Sequence, residues 1–458
     1  KIHRSRFTII VRLWCLALLP TSSVGFSVSF PNKWRIKTAS IRASLPKRVI
    51  SNYNRIGIHA LESSQSEDAT NGSSFSTIRP ADRVSSRSSR RVVDTMDQYP
   101  RLPIWPAWNG VMIWLVSILL GKDVAAQLEG MVGGRVCPNM FADPSRTSPF
   151  VLLVHHRHSF AAWDVLRYLQ RSFFPEGFPS HPHRGFVTVT YILRGGFRHR
   201  DSLGIQQAYG AESWHDGKHT QWLTTGAGIL HEEMFDIRHL NFWLPSHQEL
   251  YQIWINLPSQ DKLVPPNMEL LGGPNDTPCV ETHDSQGRKT SETLVLAGSH
   301  GSVWASAPSR SDLTILHVKS IDPGSEWRHV IPPTHETALF YVRRGSVMVI
   351  SDDVAAASNS VVVPTHTTVV LGVQGTELVL RNDDSSKVSA DVLVLTGVPL
   401  REPIVAQGSM VMNSPIEIQE AYRDYQAGKM GIPWKESLSE EEWKVHVRNN
   451  PSLYKPKQ

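Results

Sequence analysis

"FPSHPHRGFVTVTYILRGG" occupies residues 178–196 of a 458-residue chain. From Phe186 onward the stretch alternates and is rich in β-branched residues, so it reads as a strand that turns at Gly195 and Gly196. In a strand, residues i and i+2 project from one face, so His181 and His183 point the same way. Farther along, "TQWLTTGAGILHEEMF" (220–235) repeats the device, with His231 and Glu233 sharing a face and Glu232 turned the other way. Two such pairs on facing strands bring three imidazoles and one carboxylate together. That donor set leaves a divalent first-row metal with open coordination positions. Iron, manganese, nickel and copper all accept it, and zinc is a poorer match. Surface decoration is the alternative for any single HxH.

The surrounding chain has the same texture. "PFVLLVHH", "LYQIWINLP", "ETLVLAG", "LTILHVKS", "ALFYVRRGSVMVIS", "SVVVP", "TTVVLGV", "TELVLRN" and "DVLVLTG" are short apolar runs broken by Gly, Pro, Asn and Asp. Such a series predicts an all-β protein of antiparallel sandwich or barrel type. Helix patterning is confined to 161–170 and 414–426, the second with Ser414 as cap and Pro415 in the first turn. "TYILRGG" and "FYVRRGS" align Tyr191 with Tyr341, Arg194 with Arg344 and Gly195 with Gly345, each pair 150 residues apart. Two copies of one β-unit explain the match. The same shift carries the four candidate ligands onto Ile331, Pro333, Arg381 and Asp383, so the second copy is expected to lack a metal. His335 and His366 there, and His199, His215, His219 and His239 in the first copy, are read as core, surface or supporting groups.

The three cysteines are too few and too scattered for a disulfide framework or a thiolate metal site. The net charge of +5 is unevenly spread: residues 1–101 hold 17 Lys/Arg and 6 Asp/Glu, a net of +11, which leaves −6 for the rest. The basic balance belongs to the N-terminal segment, and direct nucleic-acid binding by the folded part is not expected. Residues 1–26 have the form of a signal peptide, and the Ser- and Arg-rich residues that follow have transit-peptide composition. Together they resemble the bipartite plastid leaders of algae with secondary plastids; a plain secretory signal with a disordered tail is the alternative. Residues 102–121 carry no charge, about the length of a membrane-spanning helix, although only Val111–Leu120 is strongly apolar, which is closer to a signal core or a buried helix.

"FPSHPHRGFVTVTYILRGGFRHRDSLG", "TQWLTTGAGILHEEMF", "QIWINLP", "LREPIVAQGSMVMN" and, earlier, "SPFVLLVHHRHSF" resemble the pirin family of the cupin superfamily, over about residues 148–426. The resemblance implies a bicupin: two cupin-type antiparallel β-barrels packed face to face, with one metal, usually Fe(2+), in the first. Its ligands fall on His181, His183, His231 and Glu233. The expected organisation is a mostly disordered targeting leader (1–101) and an apolar segment and linker (102–130), both read from composition, then a metal-binding cupin (131–262), a second cupin (292–413), and a C-terminal helix and tail (414–458). The resemblance further implies either a quercetin 2,3-dioxygenase type of reaction on a flavonol or related small aromatic with O2, Glu233 accepting the hydroxyl proton, or a non-enzymatic, metal-dependent regulatory binding protein. A monomer is expected. One departure stands out: the family usually has Glu after "HPHRGF", and Val187 occupies that place. Phe186, Val187, Gln221, Trp222 and His199 are expected around the pocket.

Overall fold

The computed structural model describes residues 90–99, 102–104, 107–140, 144–170, 175–351 and 360–451. The leader expectation for residues 1–89 lies outside them. The described chain is a bicupin, as its two strand sets show. The first pairs a seven-stranded sheet, ordered Asn267–Leu271, Thr220–Thr224, Phe186–Arg194, Ser246–Asn256, Phe150–Phe160, Gly133–Met140 and Leu102–Ile104, with a four-stranded sheet, ordered Gly177–His183, Ile229–Phe235, Gly196–Asp201 and Gln206–Gly210. The second set repeats the plan. Its large sheet runs Val93–Gln98, Thr367–Leu371, Thr337–Arg344, Ala390–Gly397, Leu313–Ile321, Lys289–Ala297 and Cys279–His283. Its small sheet runs Glu326–Val330, Glu377–Arg381, Val347–Ile350 and Ser360–Val363.

Alternation decides what each sheet face does. Val187, Val189, Tyr191, Trp222, Ile253 and Ile255 of the first large sheet join Ile315, Leu339, Leu393 and Leu395 of the second in one buried cluster. The two large sheets therefore pack face to face, and burial of this apolar area holds the barrels together. The opposite face of the first sheet lines its own barrel. Inside the second barrel the corresponding space is filled by Leu316, Val318, Trp327, Phe340, Leu378, Leu380 and Val394.

Three elements differ from the sequence expectation. Val93–Gln98, placed in the leader, is a strand of the second barrel, paired antiparallel with Thr367–Leu371. Just before it Arg91 is buried, its guanidinium donating to the carbonyls of Gly375, Glu336, His335 and Gly372 at 2.7–3.3 Å. The folded body thus reaches back to Arg90, and the second large sheet starts before residue 292. Residues 102–121 form a short strand and a 13-residue helix, Ala107–Leu119, followed by a second helix, Lys122–Glu129. Among the described residues no helix is long and apolar enough to cross a membrane. Helix within 161–170 is limited to Val165–Gln170.

The C-terminal helix Pro415–Gln426 forms as its signals dictate, with a Ser414–Glu417 capping box and Pro at its start. A second helix, Glu440–Asn449, carries the same box from Ser439 and Glu442. This arm returns to the first barrel, where Met410, Met412, Ile418, Met430 and Trp443 bury Leu230.

Candidate metal centre

Gly177–His183 pairs with Ile229–Phe235 so that His181 faces His231 and His183 faces Ile229. That register, with the alternation of each strand, sets three rings in one place. The ring centroids of His181, His183 and His231 lie 4.5–4.9 Å apart. One nitrogen from each lies within 4.8 Å of the others, the one such group of three among the described residues. His183 and His231 are buried and His181 partly so.

The environment keeps these rings neutral. Burial pushes the His183 and His231 pKa values well below the usual imidazole value, and the neighbouring imidazoles push the same way. His181 is lowered by burial, partly offset by its bond to the Pro179 carbonyl. A neutral ring offers a lone pair, which a cation requires. Backbone carbonyls also fix the tautomers: His181 Nδ1 lies 2.7 Å from Pro179 O, and His183 Nδ1 lies 3.4 Å from Ser409 O on the C-terminal arm. Donation from Nδ1 leaves Nε2 as the acceptor. His183 Nε2 and both nitrogens of His231 are buried without a hydrogen-bond partner. Orphaned polar atoms are costly in a core, and a divalent metal would accept one lone pair from each of the three rings. The residues present fit such an ion.

Glu233 is buried in the same wall but is not part of the close trio. Its Oε1 accepts from Thr190 Oγ1 at 3.0 Å and Tyr209 Oη at 2.9 Å, and its Oε2 lies 3.4 Å from Gln252 Nε2. Burial raises its pKa, against the pull of His199 and these hydrogen bonds. His199 stands opposite Glu233 on the next strand and is bonded to Asp201 at 3.0 Å, both fully buried.

The remaining pocket expectations divide by strand parity. Phe186 packs 5.1 Å from the His183 ring and 4.4 Å from Trp254. Gln221 pairs with Thr190 and is buried with both amide atoms unpartnered. Val187 and Trp222 do not belong to the pocket: each is one residue out of phase and joins the apolar seam between the barrels. The Glu-to-Val departure at 187 therefore places a methyl-bearing side chain in a seam of Val, Ile and Leu. Trp254, Gln252, Thr190, Tyr209 and Ser409 went unrecognised in the sequence. Alternation in "QIWIN" marks Gln252 and Trp254 as sharing a face, whereas Ser409 acts through its backbone and leaves no side-chain signal.

The second barrel keeps one histidine of the four. His329 pairs with Leu378 as His181 pairs with His231. The 150-residue shift, which pointed to Ile331, Pro333, Arg381 and Asp383, thus slips at these strands. Leu378 and Leu380, on the strand matching that of His231 and Glu233, belong to the apolar filling.

Comparison with known proteins matches this architecture in both halves. The pirin model covers residues 135–255, and the pirin C-terminal cupin domain model covers 316–431. Pirin-1 of Arabidopsis thaliana is 33% identical over 313 residues, spanning 68% of this chain and 94% of that protein. The chain belongs to the pirin family. Human pirin is 32% identical over 273 residues, 58% of this chain and 82% of the relative. Among solved structures, a quercetin 2,3-dioxygenase from Acinetobacter baumannii aligns over 75% of this pirin and 99% of its own chain, with 27% identity and a TM-score of 0.55.

Proposed function

We propose that this pirin is a metal-dependent dioxygenase of the quercetin 2,3-dioxygenase type, acting on a flavonol or related small aromatic. The observation that carries the reading is the convergence of three neutral imidazoles inside the first barrel, two of them, His183 and His231, buried with unpartnered nitrogens. The likeness to the Acinetobacter enzyme supports the same substrate class.

His181, His183 and His231 would hold the ion, Fe(2+) in the first instance, with manganese, nickel or copper as substitutes; Glu233, in the same wall, is the fourth candidate ligand. A metal there supplies Lewis-acid binding of a flavonol 3-oxygen and a path for electrons to O2. Glu233 accepts the proton of the 3-hydroxyl, a role suited to a carboxylate whose pKa is raised by burial. Tyr209, Thr190 and Gln252 orient it. Phe186 and Trp254 give an aromatic wall beside His183, and the open amide of Gln221 offers a polar contact.

The test is incubation of the metal-loaded protein with quercetin, following loss of flavonol absorbance and O2 uptake. Turnover with one of the four metals supports the reading. Absence of turnover with iron, manganese, nickel and copper alike overturns it in favour of a metal-dependent binding protein. We also propose that residues 1–89 direct the protein to a plastid, on their basic, Ser- and Arg-rich composition; a fluorescent protein fused behind them reports the destination.

A further inference from the structure

Strand register in the first large sheet sets Gln221, Thr190 and Gln252 side by side in one row, and Leu223, Thr188 and Trp254 in the next. All six share the inward face, because the pleat repeats every two residues. The first row meets Glu233, which takes Thr190 and Gln252 as partners. The second reaches the metal centre through Trp254, whose ring lies 5.5 Å from that of His183. Thr188 and Gln221 are fully buried. Within this patch Thr188 Oγ1, both amide atoms of Gln221 and Trp254 Nε1 are buried without a hydrogen-bond partner. Thr188 and Gln221 are diagonal neighbours, within reach of a long side chain, yet the amide does not take the hydroxyl. Native interiors leave few polar atoms unpaired, since each one costs stability. Several on one patch beside a metal centre are groups kept open for a ligand.

We propose that Thr188, Gln221 and Trp254 form a recess that recognises free, uncharged ring hydroxyls on the ligand. The inference rests on the flavonol reading of the metal centre and narrows it to polyhydroxylated molecules. The amide offers two donors and an acceptor, the threonine hydroxyl plays either part, and the indole donates. That set complements an oxygen that both gives and takes a hydrogen bond, as a phenol does. None of the six residues is Lys or Arg, and Glu233 is the acid beside them, so an anionic substituent would find no counter-charge in the recess. Phe186, 4.4 Å from Trp254 between ring centres, supplies the apolar wall for the ring that carries the hydroxyls.

Calorimetric titration of the iron-loaded protein under nitrogen, which reads binding without turnover, tests the proposal. Quercetin should bind about tenfold or more tightly than 3-hydroxyflavone, which keeps the metal-binding oxygens and lacks the other ring hydroxyls. In Gln221→Met and Thr188→Val that difference should largely vanish, with 3-hydroxyflavone bound as by the parent. Both variants should melt no lower than the parent, because each removes a buried polar atom that has no partner. Equal affinities in the parent overturn the proposal. So does a preference that survives both substitutions, which would leave these atoms to ordered water. A lowered melting temperature in both variants, or a sulfated quercetin that binds like the free one, overturns it as well. If neither flavonol binds, the flavonol reading falls by itself, and catechol then decides the recess: binding that Gln221→Met abolishes supports it, and no binding overturns it.

Discussion

Tyr191 Oη of the first barrel and His317 Nδ1 of the second stand 2.7 Å apart across the seam between the barrels. With the barrels exchanged, the contact recurs: Tyr341 Oη lies 3.0 Å from His155 Nδ1. Each histidine leans on an acid of its own barrel, His317 on Asp391 at 3.2 Å and His155 on Glu249 at 2.9 Å. Arg343 bonds to both acids. Thr190, next to Tyr191 on the same strand, points the other way and bonds to Glu233. One strand thus serves the seam with one face and the metal pocket with the other.

Tyr191→Phe or Tyr341→Phe removes one hydroxyl from this crossed arrangement. Each should lower stability by about 1–3 kcal/mol, because a buried histidine nitrogen loses a hydrogen bond, and Tyr341→Phe also takes one from His366. Urea melts of the two single variants and the double variant measure it. Loss of coupling between the two positions would show that Arg343 does not join them.

His183→Ala or His231→Ala should cut bound metal sharply. Losing a ligand costs more than the roughly 10–100-fold affinity loss typical of an outer supporting group. Elemental analysis after dialysis reads the stoichiometry, and an unchanged value would remove these rings from the site. Thr190→Val, which strips a donor from Glu233, should leave the metal in place and slow flavonol turnover.

Acid should destabilise the metal-free protein early. Burial holds His158 and His329 near a pKa of about 3, far below the ordinary 6.5, and lowers His183 and His231 strongly too. Below 6.5 the unfolded chain takes up protons that the folded chain refuses, so stability is full above that value and falls as pH drops beneath it. Each such ring contributes a slope of about 1.4 kcal/mol per pH unit. Bound metal should raise the whole curve without flattening the decline, because it keeps three rings unprotonated in the folded chain only. Melting temperatures across the acid range, with and without metal, give both curves.

Arg91→Ala should cost about 1–3 kcal/mol or more, since it leaves the carbonyls of Gly375, Glu336, His335 and Gly372 without their donor. Thermal melting reports the loss. Metal content should stay the same, because all four carbonyls belong to the second barrel.

The histidine trio was legible because a two-residue period and the pairing of two strands fix it locally. The strand repeat was legible for the same reason, through Tyr191 and Tyr341. What escaped depends on contacts far apart in sequence. Val187 and Trp222 look like pocket neighbours by proximity, yet the pleat sends them into the seam. His329 was missed as the counterpart of His181 because the turns of the two barrels differ in length, so a constant shift fails. Val93–Gln98 has no partner nearby in the chain; its pairing with Thr367–Leu371 appears only once the second barrel is folded.

That pairing bears on maturation and on any trimmed form of the protein. A processing peptidase that cuts upstream of Arg90 would leave the second barrel hemmed by its last strand. A cut a dozen residues later would strip that border and bare the edge of Thr367–Leu371, an invitation to pair with a stray chain.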